Sequence, residues 1–281
     1  VLSSDARLRK LAGGFQFIEG TVWHPALGGL VFSDIPGNRM YLWRLESGVT
    51  VFRDPSNHAD GNTVDPQGRL LTCEHGTRRV VRQGHHGSLT VLVDKYQGHR
   101  LNSPNDIVVK SDGTIWFSDP PYGIGPEESE LPANYVFRLD PDDSLTIVAD
   151  DFMKPNGLCF SPDESVLYIS DTGDERHHIR RFRVQPDNTL SGGEVFATIS
   201  PGKSDGIRVD TKARVWTTAG EGIWVLSPEG ELLTRVMVPE MPANCAFGGE
   251  GNHTLFVAAR TGLYAVDTLA TGVRWATGAM G

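Results

Sequence analysis

Six polar residues stand at the head of six similar stretches of this chain: Glu19, Asp60, Asn105, Asn156, Asp205 and Asn244. Each is a carboxylate or a carboxamide. Brought to a common point, the three acids would repel one another, and a proton or a cation would have to neutralise them. Their oxygens are hard ligands, which suit calcium, magnesium or manganese better than zinc or copper. Mixed carboxylate and amide ligands favour calcium, which accepts flexible geometry. Calcium is therefore the expected cofactor, with magnesium, manganese and zinc as alternatives. The opposing reading is that Asx residues merely start turns and cap strands. That accounts for Asp60 or Asn244 singly, but poorly for a Glu and for all six together.

The elements that must position these residues repeat as well. After each head come mainly apolar residues, a polar turn and a second short apolar run, usually ending near an acid. The copies are EGTVWHPALGGLVFSD (19–34), DGNTVDPQGRLLTCE (60–74), NDIVVKSDGTIWFSD (105–119), NGLCFSPDESVLYISD (156–171), DGIRVDTKARVWTTA (205–219) and NCAFGGEGNHTLFVAA (244–259). They start 41, 45, 51, 49 and 39 residues apart. Propeller blades of four strands repeat at roughly 40–50 residues. The β-branched and aromatic runs carry no helical period and read as strands. Further strands are expected at 39–45, 49–54, 135–140, 145–150, 178–184 and 194–199. The sixth copy has one clear successor, 262–268, and residues 7–14 can supply its missing outer strand. The expected fold is all-β: one domain over 1–281, a six-bladed β-propeller with four-stranded blades, closed by its N- and C-terminal strands. If the heads begin the innermost strands, their side chains converge on the channel mouth.

Composition narrows the partners. The formal net charge is −9, which argues against nucleic acid, because phosphate binding needs clustered Lys and Arg. No run approaches a membrane span, and VLSSDARLRK at the start has no apolar core of a signal peptide. A cytoplasmic location is expected, or a periplasmic one had a leader been removed. A homodimer is left open. Cys73, Cys159 and Cys245 are odd in number and far apart, which suits reduced core thiols rather than disulfides or a zinc cluster. There is no GxSxG, HExxH or Walker pattern. Ser204 beside Asp205 has no evident His partner, so covalent serine catalysis is not expected.

Several segments, in this order and spacing, resemble the regucalcin/gluconolactonase family: EGTVW (19–23), LNSPNDIVV (101–109), PNGLCFSPD (155–163) and SDGIRVD (204–210). GNTVDPQGRLLTCEHGTRRV (61–80) is similar to its bacterial gluconolactonase-type members. The resemblance spans all six repeats. It implies a six-bladed propeller with a divalent ion, usually calcium, at the channel centre. It implies Glu19, Asn156 and Asp205 as metal ligands, with Asn105 a ligand in some members and a substrate contact in others. It implies hydrolysis of lactones, sugar lactones such as gluconolactone in particular, with Asp205 as general base. Two positions depart from the family. Ser103 stands where animal members carry Arg, and Asp60 where Asn is usual; both touch the expected substrate pocket.

Lactone hydrolysis needs a polarised carbonyl, an activated water and a stabilised oxyanion. A cation acting as Lewis acid supplies the first and third, and calcium needs a nearby base for the second. Asp205 can be ligand and base through its two oxygens. Asp119, next to the loop SDPPYG, is the second choice for base. Asn105 could hold the carbonyl or the oxyanion through an amide N–H. Asp34, Glu74, Asp119 and Asp171 lie 14 or 15 residues after their heads, and apart from Asp119 they read as turn formers. His75 in EHGTRR is expected to line the mouth, contacting substrate or shuttling a proton. Asp60 is expected to contact substrate, and Tyr122, in the long loop 120–134, to stack on a sugar ring. Arg78 and Arg79 read as part of a surface strand, and TGDERHH (172–178) as a solvated hairpin. Competing readings are a phosphotriesterase-like hydrolase, a non-catalytic calcium buffer, and a propeller that presents its rim to a protein. The last predicts a mouth without the ring of acids and amides.

Overall fold

The apolar runs are short and separated by turn formers, so each run pairs with its neighbour in sequence as a hairpin. Some hairpin tips need a left-handed residue: Asn38 (φ 53°) and Gly68 (φ 75°) occupy two of them, positions that Asn and Gly tolerate best. The computed structural model describes residues 1–84 and 86–273.

Its described strands form six four-stranded antiparallel sheets and one two-stranded ribbon, Lys95–Tyr96 with His99–Arg100. From inside outward, the first blade is Ile18–His24, Gly29–Asp34, Arg39–Arg44 and Gly48–Arg53. The second is Ala59–Val64, Leu70–Glu74, Arg79–Gln83 and Leu89–Val93. The third is Ile107–Val109, Ile115–Asp119, Asn134–Leu139 and Leu145–Phe152. The fourth is Pro155–Phe160, Val166–Asp171, His178–Val184 and Leu190–Thr198. The fifth is Ile207–Val209, Val215–Ala219, Gly222–Leu226 and Leu232–Met237. The sixth takes Pro242–Gly248, Thr254–Ala259 and Gly262–Asp267 from the chain's late part, and Arg9–Gly13 from its early part. There Arg9 pairs with Ala265 and Gly13 with Gly262, so the ring closes on a backbone ladder and the edge of Gly262–Asp267 is covered. The innermost strands touch around the circle: Ile18–His24 meets both Ala59–Val64 and Pro242–Gly248.

The core lies between blades. Six apolar clusters each join two neighbours; Leu71, Cys73 and Val80 of the second blade pack with Ile107, Phe117 and Phe137 of the third, and Trp216 and Val225 of the fifth with Cys245 and Val257 of the sixth. Both faces of the inner strands are thus covered, which explains near-continuous burial along GLVFSD and VLYISD. Burying a Phe or Leu in such a seam stabilises the fold by about 1.5–3 kcal/mol. The three cysteines are free and buried. Arg78 differs from expectation: it is buried, with φ 56°, and its Nε donates to Leu101 O at 2.6 Å. It pins the second blade to the segment that leads into the third. No described helix is long and apolar enough to cross a membrane.

Candidate active site at one mouth of the channel

In four repeats the residue after the head is glycine: Gly20, Gly61, Gly157 and Gly206. A β-carbon on Gly20 would overlap the carbonyl oxygen of Asp60, and one on Gly157 that of Asp205. Each head therefore lies against the backbone of the next blade's head. Hydrogen bonds follow the same contact: Gly61 N donates to Asn105 O and Gly206 N to Ala243 O, both at 2.8 Å. Strand register also slips just past the heads, between Glu19 and Val22, Ala59 and Asn62, and Pro155 and Leu158. Such bulges bend the strand and re-aim a side chain, here toward the axis.

Five heads meet as a result. Glu19, Asp60, Asn105, Asn156 and Asp205 line one cavity of about 490 Å³, together with His75, Tyr122, Thr172 and Lys203. Phe17, Ile35, Pro36 and Met241 form its apolar wall. Asn244 does not join them; its Oδ1 accepts from Thr21 Oγ1 at 3.0 Å and from Arg208 at 3.4 Å. Asp60 Oδ2 is shared, lying 2.9 Å from His75 Nε2 and accepting from Asn105 Nδ2 at 2.6 Å. The Asn156 side chain hydrogen-bonds the Asp205 carboxylate. Glu19 Oε2 accepts from Gly20 N at 2.9 Å. Tyr122 is exposed along one edge, and its hydroxyl meets Thr172 Oγ1 at 2.5 Å.

The charge in this mouth is unbalanced. Burial pushes Glu19 well above the usual carboxylate range, and Asp205 and Asp60 add to the effect. Asp205 is pushed well up by burial and then by Asp60 and Asp106, against the Asn156 hydrogen bond and Lys203. Asp106 follows Asn105 at the place that is glycine in four other repeats, and it is raised by burial against the pull of Arg208. An ion pair reaches Asp106 through Arg208 (3.7 Å), but no Lys or Arg pairs with Asp60, Glu19 or Asp205 among the described residues. Nor do three His, Cys, Asp or Glu side chains converge there closely enough to hold a metal alone. A cation would need the amide oxygens of Asn156 and Asn105 beside Glu19 and Asp205. Such a donor set fits calcium, since calcium accepts six to eight hard oxygens, water included.

Asp119 is not brought to this cavity. It is fully buried, and its two oxygens accept Asn102 N and Ser103 N, each at 2.8 Å. Asp34 does the same for Gln16 N and Phe17 N, and Asp171 for Met153 N and Lys154 N. These acids clamp the segment that enters the innermost strand, so Asp119 is corrected from second base to clamp. Both amide hydrogen bonds favour its carboxylate, yet burial outweighs them and holds it up at about 7.

Loop 120–134 reaches the mouth because it is tied down. Asn102 Nδ2 donates to Ala133 O (3.2 Å), Ser129 Oγ to Asn102 Oδ1 (2.9 Å), and Gly123 N to Ser103 Oγ (2.8 Å). A side chain on Gly123 would strike Ser103 and His75. Ser103 thus holds the loop close, in space that a long side chain would fill. Sequence reasoning missed Thr172, Lys203 and the apolar wall. Lys203, one residue before Ser204–Asp205, had a signal only in its nearness to a head.

The family described as SMP-30/gluconolactonase/LRE-like region matches residues 17–261. The chain belongs to that family. Among SMP-30/gluconolactonase proteins it is 32% identical, over 97% of its length and 84% of the other, to a gluconolactonase of Zymomonas mobilis. A solved gluconolactonase structure from Xanthomonas campestris is 38% identical with a TM-score of 0.89, over 94% of this chain and 90% of that one. A calcium-binding regucalcin from Agrobacterium tumefaciens shares the fold, with a TM-score of 0.80 at 22% identity over 96% of each chain.

Proposed function

We propose that this chain is a lactonase that opens sugar lactones such as gluconolactone, with a divalent cation, calcium by preference, in the mouth cavity. The observation that carries this reading is the meeting of Glu19, Asn105, Asn156 and Asp205 in one cavity, within a chain of this family. Those four side chains would hold the ion. When bound, it supplies Lewis acidity, which polarises the lactone carbonyl and stabilises the oxyanion. The protein's own residues do the rest. Phe17, Ile35 and Met241 cover the apolar edges of the lactone ring and exclude water, while Tyr122 offers its exposed ring to a sugar face. His75 and Asp60 line the same cavity and would meet the substrate's hydroxyls. Asp205 takes a proton from the attacking water, and that proton returns to the ring oxygen as it leaves, so water and lactone become a hydroxy acid.

The test is a pH-stat assay over a panel of lactones, with and without chelator. Turnover of a sugar lactone that stops on chelation and returns with calcium is expected. Turnover unaffected by chelation, or full activity in Asp205→Ala, removes the cation or Asp205 from the mechanism.

A further inference from the structure

One corner of the mouth holds cations that the lactonase reading leaves unused. Lys203 is the one lysine or arginine among the described residues that line the cavity. The turn that carries it is fixed. A β-carbon on Gly202 would strike Gly220 N, and that same N–H donates to Pro201 O at 2.8 Å. The Lys203 ammonium donates to Thr172 O at 2.9 Å and to Asp174 Oδ1 at 3.1 Å. An ammonium has three protons to give, and these bonds use two. Lys154 stands in the same corner. Its carbonyl accepts from Thr172 N at 3.0 Å and from Thr172 Oγ1 at 3.1 Å, and its ammonium lies 5.6 Å from the centre of the Tyr122 ring. Asp174 feels both cations: the Lys203 hydrogen bond first, then the charge of Lys154, holds its carboxyl below the usual range. Two ammoniums thus already serve one carboxylate. That carboxylate is 81% exposed, and an ion pair so open to water is weak and readily exchanged. The corner also lies on the outer side of the cavity. Tyr122 and the Lys203 side chain are 44% and 39% exposed, against 5% for Glu19 and 3% for Asp60. A lactone whose carbonyl meets the acids has its far end at Lys203.

We infer that Lys203, with Lys154 beside it, forms a subsite for an anionic group, a phosphate, sulfate or carboxylate, carried on the far end of the lactone substrate. The inference rests on the lactonase reading above and deepens it. The Asp174 carboxylate marks the place, and a substrate anion exchanges with it for the Lys203 hydrogen bond. Contacts so remote from the carbonyl are made alike in the ground state and the transition state. They lower KM and leave kcat to the groups at the carbonyl.

The experiment uses the full chain with calcium and compares gluconolactone with its 6-phosphate and 6-sulfate esters. For both esters the wild type should show a kcat/KM about 10-fold or more above that for gluconolactone, the worth of a hydrogen bond to a charged group, expressed through KM. Lys203→Gln should erase most of that preference, Lys203→Arg should keep it, and high salt should weaken it. Asp174→Asn removes the competing carboxylate and should sharpen it. The sulfate ester separates the lysines from the cation, since a phosphate that gained by binding calcium directly would be preferred alone. A wild type that turns over gluconolactone and prefers neither ester overturns the inference and spares the lactonase reading. So does a preference that survives in Lys203→Gln, and so does one for the phosphate alone. Should no lactone react, the lactonase reading fails, and calorimetry with the open-chain acids gluconate and 6-phosphogluconate judges the subsite by itself. The phosphate should bind the wild type about 10-fold tighter and lose that margin in Lys203→Gln. Equal binding of the two acids overturns the subsite.

Discussion

At the residue scale the mouth combines acids that burial disfavours with amides that direct their oxygens. Asp205 is the proposed base. Asp205→Asn keeps an oxygen ligand but cannot take a proton, so kcat should fall by about 100-fold or more, with calcium affinity reduced less. Steady-state kinetics and calorimetry separate the two effects. The glycine behind four of the heads is as constraining as the head itself. In Gly157→Ala the new methyl group meets the Asp205 carbonyl oxygen. Overpacking of this kind costs about 1–3 kcal/mol, and the strain falls on the residue that carries the chemistry. Urea denaturation should show the lost stability, and the assay a fall in kcat that Gly68→Ala does not share, since nothing crowds Gly68.

At the scale of the strand, one device recurs. Asp34, Asp119 and Asp171 end second strands and clamp the two amides that lead into the innermost strand. Asp119→Asn can accept one amide but sets an NH2 group against the other, and a buried donor left without a partner costs about 1–3 kcal/mol. The pH dependence has a definite sign. Burial raises Asp119 from 3.8 to about 7, so the fold disfavours its ionised form. Its contribution to stability is full below the unfolded value and is lost as pH rises through the folded one. The advantage of the wild type over Asp119→Asn in chemical denaturation should therefore shrink between pH 3.8 and about 7. An advantage that grows over that window contradicts the raised carboxyl. This clamp was half legible. The spacing of 14 or 15 residues from head to acid is plain in the sequence, but its amide partners lie in the preceding segment and only the folded register pairs them.

At the scale of the whole molecule, the ring depends on a strand borrowed from the other end of the chain. Removing residues 1–13 strips Arg9–Gly13 from the sixth blade. The strand Gly262–Asp267 would become an open edge. The truncated protein should melt several degrees lower and aggregate at concentrations where the full chain does not, as calorimetry and light scattering would show. The exposed Arg9–Asp267 pair at 2.6 Å adds little, since such surface pairs contribute about 0–1 kcal/mol. Arg9→Ala should therefore leave the melting temperature almost unchanged.

Periodicity determined the propeller. Strands of alternating or fully apolar residues, recurring every 39 to 51 residues, can bury both faces only by packing blade on blade, and the polar head of each repeat then lies at or within two residues of the start of an innermost strand. Residue types alone pointed to hard oxygen donors at the heads. What tertiary structure decided is which heads meet. Five line the mouth, while Asn244 is drawn to Thr21 and Arg208. It also decided that Asp119 clamps backbone and that Asp60 faces both His75 and Asn105. These outcomes depend on bulges, on close backbone approach at glycines and on contacts within a blade and between neighbouring blades. Their partners are separated along the chain, and only the folded register of the strands brings them together.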